Sequence, residues 1–307
     1  MTERWLNVEG VSDRKTGMEL GYSITSFYTD DVADHEAARR VVERARTAEE
    51  VGYDYVEAGD QHAISGGGYL QNVPTTARLA AEIDHVATMF LLPLYDPVLV
   101  AEQVGTLDAL ASEFDFWCAV GGGRRQFDAF DVPLDERASR FEEALALLDR
   151  LWTADDVTFE GEFYQVDGVS INPKASPRVC IGGGAEPAVR RAGRLGDAWV
   201  AGPSEDDLPR KLDWFEAEGG GDVIVRREAL ALADGERARE LTTQKLDDGY
   251  RGWPADADWV LAGDAETLAA DLERLAELGA DEVVVRPMSN THAEETLRTV
   301  ARARERL

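Results

Sequence analysis

Residues 114–123 read Phe114-Asp115-Phe116-Trp117-Cys118-Ala119-Val120-Gly121-Gly122-Gly123, an apolar run that ends in three glycines. The same grammar returns at Val179-Cys180-Ile181-Gly182-Gly183-Gly184, where a helix with Pro187 in its first turn follows. Short apolar runs closed by glycine and followed by helical patterns read as strands of a parallel sheet, each leading into its crossover helix.

Working outward from this pair, the alternation continues through most of the chain. Strands are expected at Met18–Ser26, Tyr53–Ala58, His85–Leu92, Phe114–Val120, Arg178–Ile181, Ala198–Ala201, Asp222–Ala231 and Glu282–Arg286. Helical periodicity falls between them, at Asp34–Val51, Pro74–Glu82, Asp96–Ser112, Glu136–Trp152, Pro187–Leu195, Asp206–Ala217, Glu236–Gly249, Ala265–Leu278 and Thr291–Arg304. Asp96-Pro97 has the form of an N-cap followed by Pro at the first helical position. Eight strands alternating with helices predict an α/β chain, a (β/α)8 TIM barrel, with an open doubly wound sheet as the alternative. One segment breaks the rhythm. Residues 157–173, rich in aromatic and β-branched residues and punctuated by Gly161 and Gly168, read as a short hairpin inserted after the fourth helix. No linker interrupts residues 18–307, which read as one domain, and residues 1–17 read as a polar N-terminal extension without the apolar stretch of a signal peptide.

Composition narrows the partners. Sixty acidic residues face 32 basic ones, for a net charge of −28, and only four of the basic residues are lysine. Disorder does not fit a chain that is 44% hydrophobic, and a basic partner does not fit acids spread over every helix. Adaptation to high salt, as in a halophilic archaeon, accounts for the pattern, because salt screens the self-repulsion of such a surface. The charge argues against nucleic acid. No run of about 18 apolar residues offers a membrane span. Cys118 and Cys180 lie in apolar strands and read as buried reduced thiols, so a cytoplasmic location is expected.

In a barrel of this kind the chemistry sits in the loops after the strands. After the second strand comes Gly59-Asp60-Gln61-His62, where Asp and His can orient or exchange a proton, or where Asp60 merely caps a turn. The chain has four histidines; His35 and His292 fall at helices and His85 opens a strand, which leaves His62 at a strand's exit. Gly121–Gly123 and Gly182–Gly184 let backbone N–H groups approach an anion closely, though tight turns also use glycine. Thr88 to Pro97 offers a bulky apolar wall suited to a flat ring, with Leu91 read as core. No HxH, HExxH or close His/Cys cluster marks a metal site, GxxxxGK[ST] is missing, and so is GxSxG, which disfavours metallohydrolase, nucleotide triphosphatase and serine hydrolase readings.

Taken together, these stretches resemble the luciferase-like monooxygenase superfamily, which includes flavin-dependent monooxygenases and deazaflavin (coenzyme F420)-dependent oxidoreductases. The likeness is carried by residues 48–56, by Leu92-Pro93-Leu94-Tyr95-Asp96-Pro97 with residues 100–103 and 106–108, by residues 119–123, by residues 140–143 with Leu151-Trp152, and by residues 180–184 with 192–199. The resemblance implies an oxidoreductase acting on a small organic substrate with coenzyme F420, or FMN in the alternative. It implies that Gly182, Gly183 and Gly184 hold the cofactor phosphate, that Gly121, Gly122 and Gly123 line the same site, and that Met89 and Phe90 back the ring, with a non-prolyl cis peptide near them. The family's acid-His pair is here Asp60 followed by Gln61 and then His62, so either His62 substitutes or Gln61 donates the hydrogen bond. A cofactor-binding protein without turnover is the outside reading. Tyr22, Tyr28, Tyr69 and Trp253 are candidate substrate contacts, and helix faces on such barrels often pair into homodimers.

Overall fold

The computed structural model describes residues 17–202, 207–254, 257 and 259–307. The expected extension lies outside them except for Gly17, as does Asp206, the expected first residue of one helix. Eight principal strands appear in chain order: β1 Glu19–Ile24, β2 Tyr55–Ala58, β3 His85–Leu91, β4 Glu113–Ala119, β5 Arg178–Gly182, β6 Ala198–Ala201, β7 Asp222–Ala231 and β8 Glu282–Pro287. The helices are α1 Asp34–Glu50, α2 Asn72–Leu79, α3 Pro97–Leu110, α4 Arg124–Ala129, α5 Arg137–Thr153, α6 Glu186–Leu195, α7 Leu208–Glu216, α8 Gly235–Asp247, α9 Ala265–Glu277 and α10 Ala293–Arg304. The fold is the (β/α)8 barrel that the alternation predicts. The chain divides into two compact units, one of residues 22–183 and one of residues 17–21 with 184–307.

In the first unit β2, β3, β4 and β5 lie side by side, all parallel, with Val86↔Phe114 and Phe116↔Val179 among the paired positions. Alternate residues face opposite sides of such a sheet. One face packs on helices: Thr88 donates to Thr76 of α2 at 2.6 Å, and Phe116 meets Trp152 of α5 edge-on. The other face carries Glu57, Ala87, Met89, Trp117, Ala119 and Gly182, set level by the register. Helix α3 starts where the sequence places it, because the Asp96 carboxylate accepts from Val98 N at 2.8 Å and Leu99 N at 3.3 Å while Pro97 needs no partner for its nitrogen.

The inserted hairpin is present as two antiparallel strands, Val157–Glu160 and Gln165–Val169, with a bulge between Val157 and Phe159. Helix α4 was not expected. Its six residues follow Gly123 directly and bury Phe127 alone, too short a stretch for a period to declare itself. The stretch around Met89-Phe90 is regular strand, paired residue by residue from His85 to Leu91 with β4. It holds no cis bond; the cis peptide among the described residues is Asn172-Pro173. In the second unit β6, β8 and the short strand Leu261–Gly263 all run parallel to β7.

Candidate active site

The exits of β2, β3 and β4 converge on one buried polar network. Asp60 follows β2 with its side chain fully buried, and its Oδ2 accepts from the Leu91 backbone N–H at 2.7 Å and from the Tyr95 hydroxyl at 2.9 Å. His62 Nε2 stands 2.9 Å from the Tyr95 oxygen and 3.0 Å from Asp60 Oδ1. Asn72, at the start of α2, donates to the Met89 carbonyl at 2.7 Å and reaches the Tyr95 oxygen at 3.4 Å. Burial first, and then the charge and hydrogen bond of Asp60, push the Tyr95 phenol far above its ordinary range.

The proton positions follow from this inventory. A tyrosine hydroxyl has one proton, and here it goes to Asp60. The histidine nitrogen facing both oxygens must therefore carry a hydrogen, which leaves Nδ1 as the basic nitrogen. The imidazole is clamped edge-on between Tyr95 and Phe130, with ring centroids 5.4 and 4.9 Å away. Its backbone N–H donates to Gln126 Oε1 of α4 at 2.7 Å, tying the loop after β2 to the turn after β4.

The two glycine turns leave neighbouring strands of the first unit. Ala119 and Gly182 are paired in the β4–β5 register, so Gly121 and Gly183 lie two residues and one residue beyond a shared rung. A side chain at Gly121 would find Leu91 Cδ2 at 3.8 Å and nothing nearer, and one at Gly123 would meet nothing within 4 Å. Gly122 has φ +100°, a conformation that favours glycine. Met89 shares the Gly182 face, its Cε 3.9 Å from where a Cβ at Gly182 would lie. Gly184 belongs to the second unit, and a side chain there would also meet nothing within 4 Å.

Asp60, His62, Met89, Gly121, Gly122 and Gly182 are thus brought together. Phe90 is not among them. It faces the helices, stacked near Phe116 at 5.4 Å and under Tyr95 at 5.2 Å, because a strand sends successive residues to opposite sides. The Gln61 side chain is exposed, and its carbonyl accepts from Gln71. Tyr22 is fully buried within β1, edge-on to Tyr53. Tyr28 donates to Asp34, and Trp253 packs in the second unit.

Sequence reasoning missed Asn72, Tyr95 as a hydrogen-bonding residue, and Glu57. Glu57 is 1% exposed, and its Oε2 has no hydrogen-bond partner among the described residues; the same holds for the buried Trp117 Nε1. Both sit on the Met89 face, one an unmatched acceptor and the other an unmatched donor. Together with the apolar Met89, Leu91 and Ala119 and the side-chain-free glycine turns, this fits a flat heteroaromatic ring carrying a phosphate. Among the described residues no helix is long and apolar enough to cross a membrane, and no group of three or more His, Cys, Asp or Glu could hold a metal.

Comparison with known proteins identifies the family. The family described as luciferase-like monooxygenase matches residues 18–218. An F420-dependent glucose-6-phosphate dehydrogenase of Intrasporangium calvum is 29% identical over 187 residues, 55% of this chain and 55% of that protein. An FMNH2-dependent dimethylsulfone monooxygenase of Pseudomonas fluorescens is 27% identical over 219 residues, 66% of this chain and 60% of that protein. The chain thus spans a little over half the length of the curated relatives it matches. A monooxygenase from Streptomyces bottropensis has the same fold, with a TM-score of 0.80 at 19% identity over 92% of this chain and 98% of that one.

Proposed function

Because the chain belongs to the luciferase-like monooxygenase family, we propose that it is an oxidoreductase that uses coenzyme F420 to exchange hydride with a small organic substrate. The observation that carries this reading is the Asp60–Tyr95–His62 network beside two open glycine turns. A deazaflavin bound there would supply the two-electron redox centre. The chain supplies the rest. Gly121–Gly123 together with Gly182 and Gly183 would hold the phosphate with backbone N–H groups, and Met89 and Leu91 would wall the ring. Asp60 fixes Tyr95 and His62, whose Nε2 hydrogen is committed inward. Nδ1 of His62 is then the atom that takes or returns the proton accompanying hydride transfer. That assignment gives His62, and not the exposed Gln61, the family histidine's role, and it favours turnover over mere cofactor binding.

Glucose-6-phosphate dehydrogenases named as F420-dependent recur among the relatives, which supports the deazaflavin over FMN. The FMNH2-dependent relative supports the second reading, a monooxygenase. Purified protein incubated with each cofactor and desalted separates the two. Retention of the deazaflavin absorption band, with bleaching on addition of substrate, is the expected result. Retention of FMN alone, with oxygen consumed on reduction, establishes the monooxygenase instead.

A further inference from the structure

Strand β7 carries three charges in a row, Arg226-Arg227-Glu228, and the strand sorts them by face. Arg227 turns away from its two neighbours and is completely buried, with Asp271 of α9 the opposite charge within reach. Burial, partly offset by Asp271, lowers its guanidinium to about 10. Arg226 and Glu228 take the opposite face. Arg286 of β8 joins them there, because it is the register partner of Glu228.

Glu228 organises this face. It is 3% exposed, its Oε2 accepts from the Tyr250 hydroxyl at 2.7 Å, and its Oε1 pairs with Arg251 Nη1 at 3.0 Å. Arg251 sits at φ +53°, a left-handed position that a non-glycine residue keeps only when its surroundings hold it. Tyr250 packs edge-on against Trp253, and Trp253 against Trp259, so the turn stands on an aromatic base. Burial first, and then the Arg286 guanidinium, press the Arg251 charge downward, with Glu228 opposing and Arg226 adding to the pressure. Arg226 and Arg286 are therefore both close enough to Arg251 to repel it.

The charges do not balance. Among the described residues three guanidiniums share this face with two buried carboxylates, Glu228 and Glu282, and neither the Arg226 nor the Arg286 side chain has a hydrogen-bond or ion-pair partner. Elsewhere the arginines of this acid-rich chain find carboxylates readily, Arg39 with Glu36 and Glu43, Arg190 with Glu186 and Glu218. Among the described residues this face therefore keeps one guanidinium more than its carboxylates match, in a protein of charge −28. Forked guanidiniums match the paired oxygens of carboxylate, sulfonate and phosphate.

We propose that Arg226, Arg251 and Arg286 form an oxyanion site that binds a phosphate-like anion, with Glu228 and Tyr250 as positioning residues that hold Arg251. Anion binding at these arginines does not rest on the oxidoreductase reading. Inorganic phosphate is the first probe, titrated into the full chain at constant ionic strength and followed by thermal shift and by phosphorus NMR line width. Saturable binding is expected in the wild type, weakened about tenfold or more in Arg286→Gln and Arg226→Gln and partly restored in Arg286→Lys. Circular dichroism checks that each variant is folded. Cofactor affinity, measured on the same variants, is expected to be unchanged. Phosphate that fails to saturate, or that binds the glutamine variants as well as the wild type, overturns the site. Loss of cofactor affinity in Arg286→Gln overturns a separate anion site at these arginines. Phosphate binding without any retained flavin or deazaflavin refutes the cofactor reading and leaves the anion site standing.

Discussion

The Tyr95 hydroxyl donates to Asp60 Oδ2 at 2.9 Å, joining the exit of β2 to the exit of β3 through a single buried proton. Asp60→Asn tests what that proton does. An asparagine oxygen in the Oδ2 place can still accept from the Leu91 N–H and the Tyr95 hydroxyl. Its NH2 then takes the Oδ1 place, 3.0 Å from His62 Nε2, where a protonated ring nitrogen meets it donor to donor. A loss of about 1–3 kcal/mol in unfolding free energy is expected, the usual consequence of an unmet buried polar group. With the His62 tautomer no longer fixed, turnover should fall by about two orders of magnitude. Urea unfolding and steady-state rates check both, and a variant with normal turnover would remove Asp60 from the mechanism.

Tyr95→Phe separates the phenol from the carboxylate through pH. The folded-state phenol is raised above its unfolded value of 10.0. The stability it contributes is fully present below pH 10 and is lost as the pH climbs beyond it, because the unfolded chain ionises there first. The wild type should lose stability between about pH 9 and 11 more steeply than Tyr95→Phe. Melting temperatures across that range decide it; parallel curves for the two proteins would mean that Tyr95 ionises as easily folded as unfolded.

The strand pattern was legible where burial is continuous: Asp222–Ala231 was read at its observed limits because nearly every residue in it is buried. Helix α2 starts at Asn72, two residues before the proline taken as its beginning, and Asn72 is held there by a bond to Met89 that no local signal announces. His62 stood out by rarity. Tyr95 did not, because a tyrosine within an apolar run looks like core until its partner from another strand is known. Met89 and Phe90 cannot share one wall, because the two-residue period of a strand sends neighbours to opposite faces. The arginine cluster was beyond reach, since it depends on the pairing of Glu228 with Arg286, 58 residues apart along the chain.

The turn after β4 separates fold from binding. Gly123→Ala adds a methyl that meets nothing within 4 Å, at a φ of −77° that any residue adopts. Stability should stay within about 0.5 kcal/mol of wild type, as for other neutral surface changes, while cofactor affinity drops because the methyl enters the space the phosphate needs. Gly122→Ala forces an alanine to φ +100° and should destabilise by about 1–2 kcal/mol. Cofactor titration of folded Gly123→Ala is the deciding measurement; unchanged affinity would place the phosphate elsewhere.

Glu143 of α5 holds the inserted hairpin by accepting three successive backbone N–H groups, from Glu162 at 2.9 Å, Phe163 at 2.8 Å and Tyr164 at 2.7 Å. Arg140 lies over the Phe163 ring at 4.6 Å beside it. Glu143→Ala leaves all three donors to water and should release the tip of the hairpin, at a cost of about 2 kcal/mol or more. Amide exchange of residues 161–164 should accelerate by at least about tenfold while the β2–β5 strands stay protected. Unchanged exchange at the tip would mean that the hairpin holds itself.

The acid excess predicts how the fold responds to salt. Arginines on α1 already bridge Glu36 and Glu43, and Arg46 reaches Glu82, yet 60 acids cannot be matched by 32 bases. The remaining carboxylates repel one another over distances that salt screens. Raising KCl from about 0.1 M to about 2 M shortens the screening length from roughly 10 Å to a few Å, so the melting temperature should rise steeply at first and then level off. The rise should be smaller in a variant with several helix-face glutamates changed to glutamine, because less repulsion remains to be screened. A melting temperature indifferent to salt, in a protein fully stable without it, would show that the acidic surface is not an adaptation to salt.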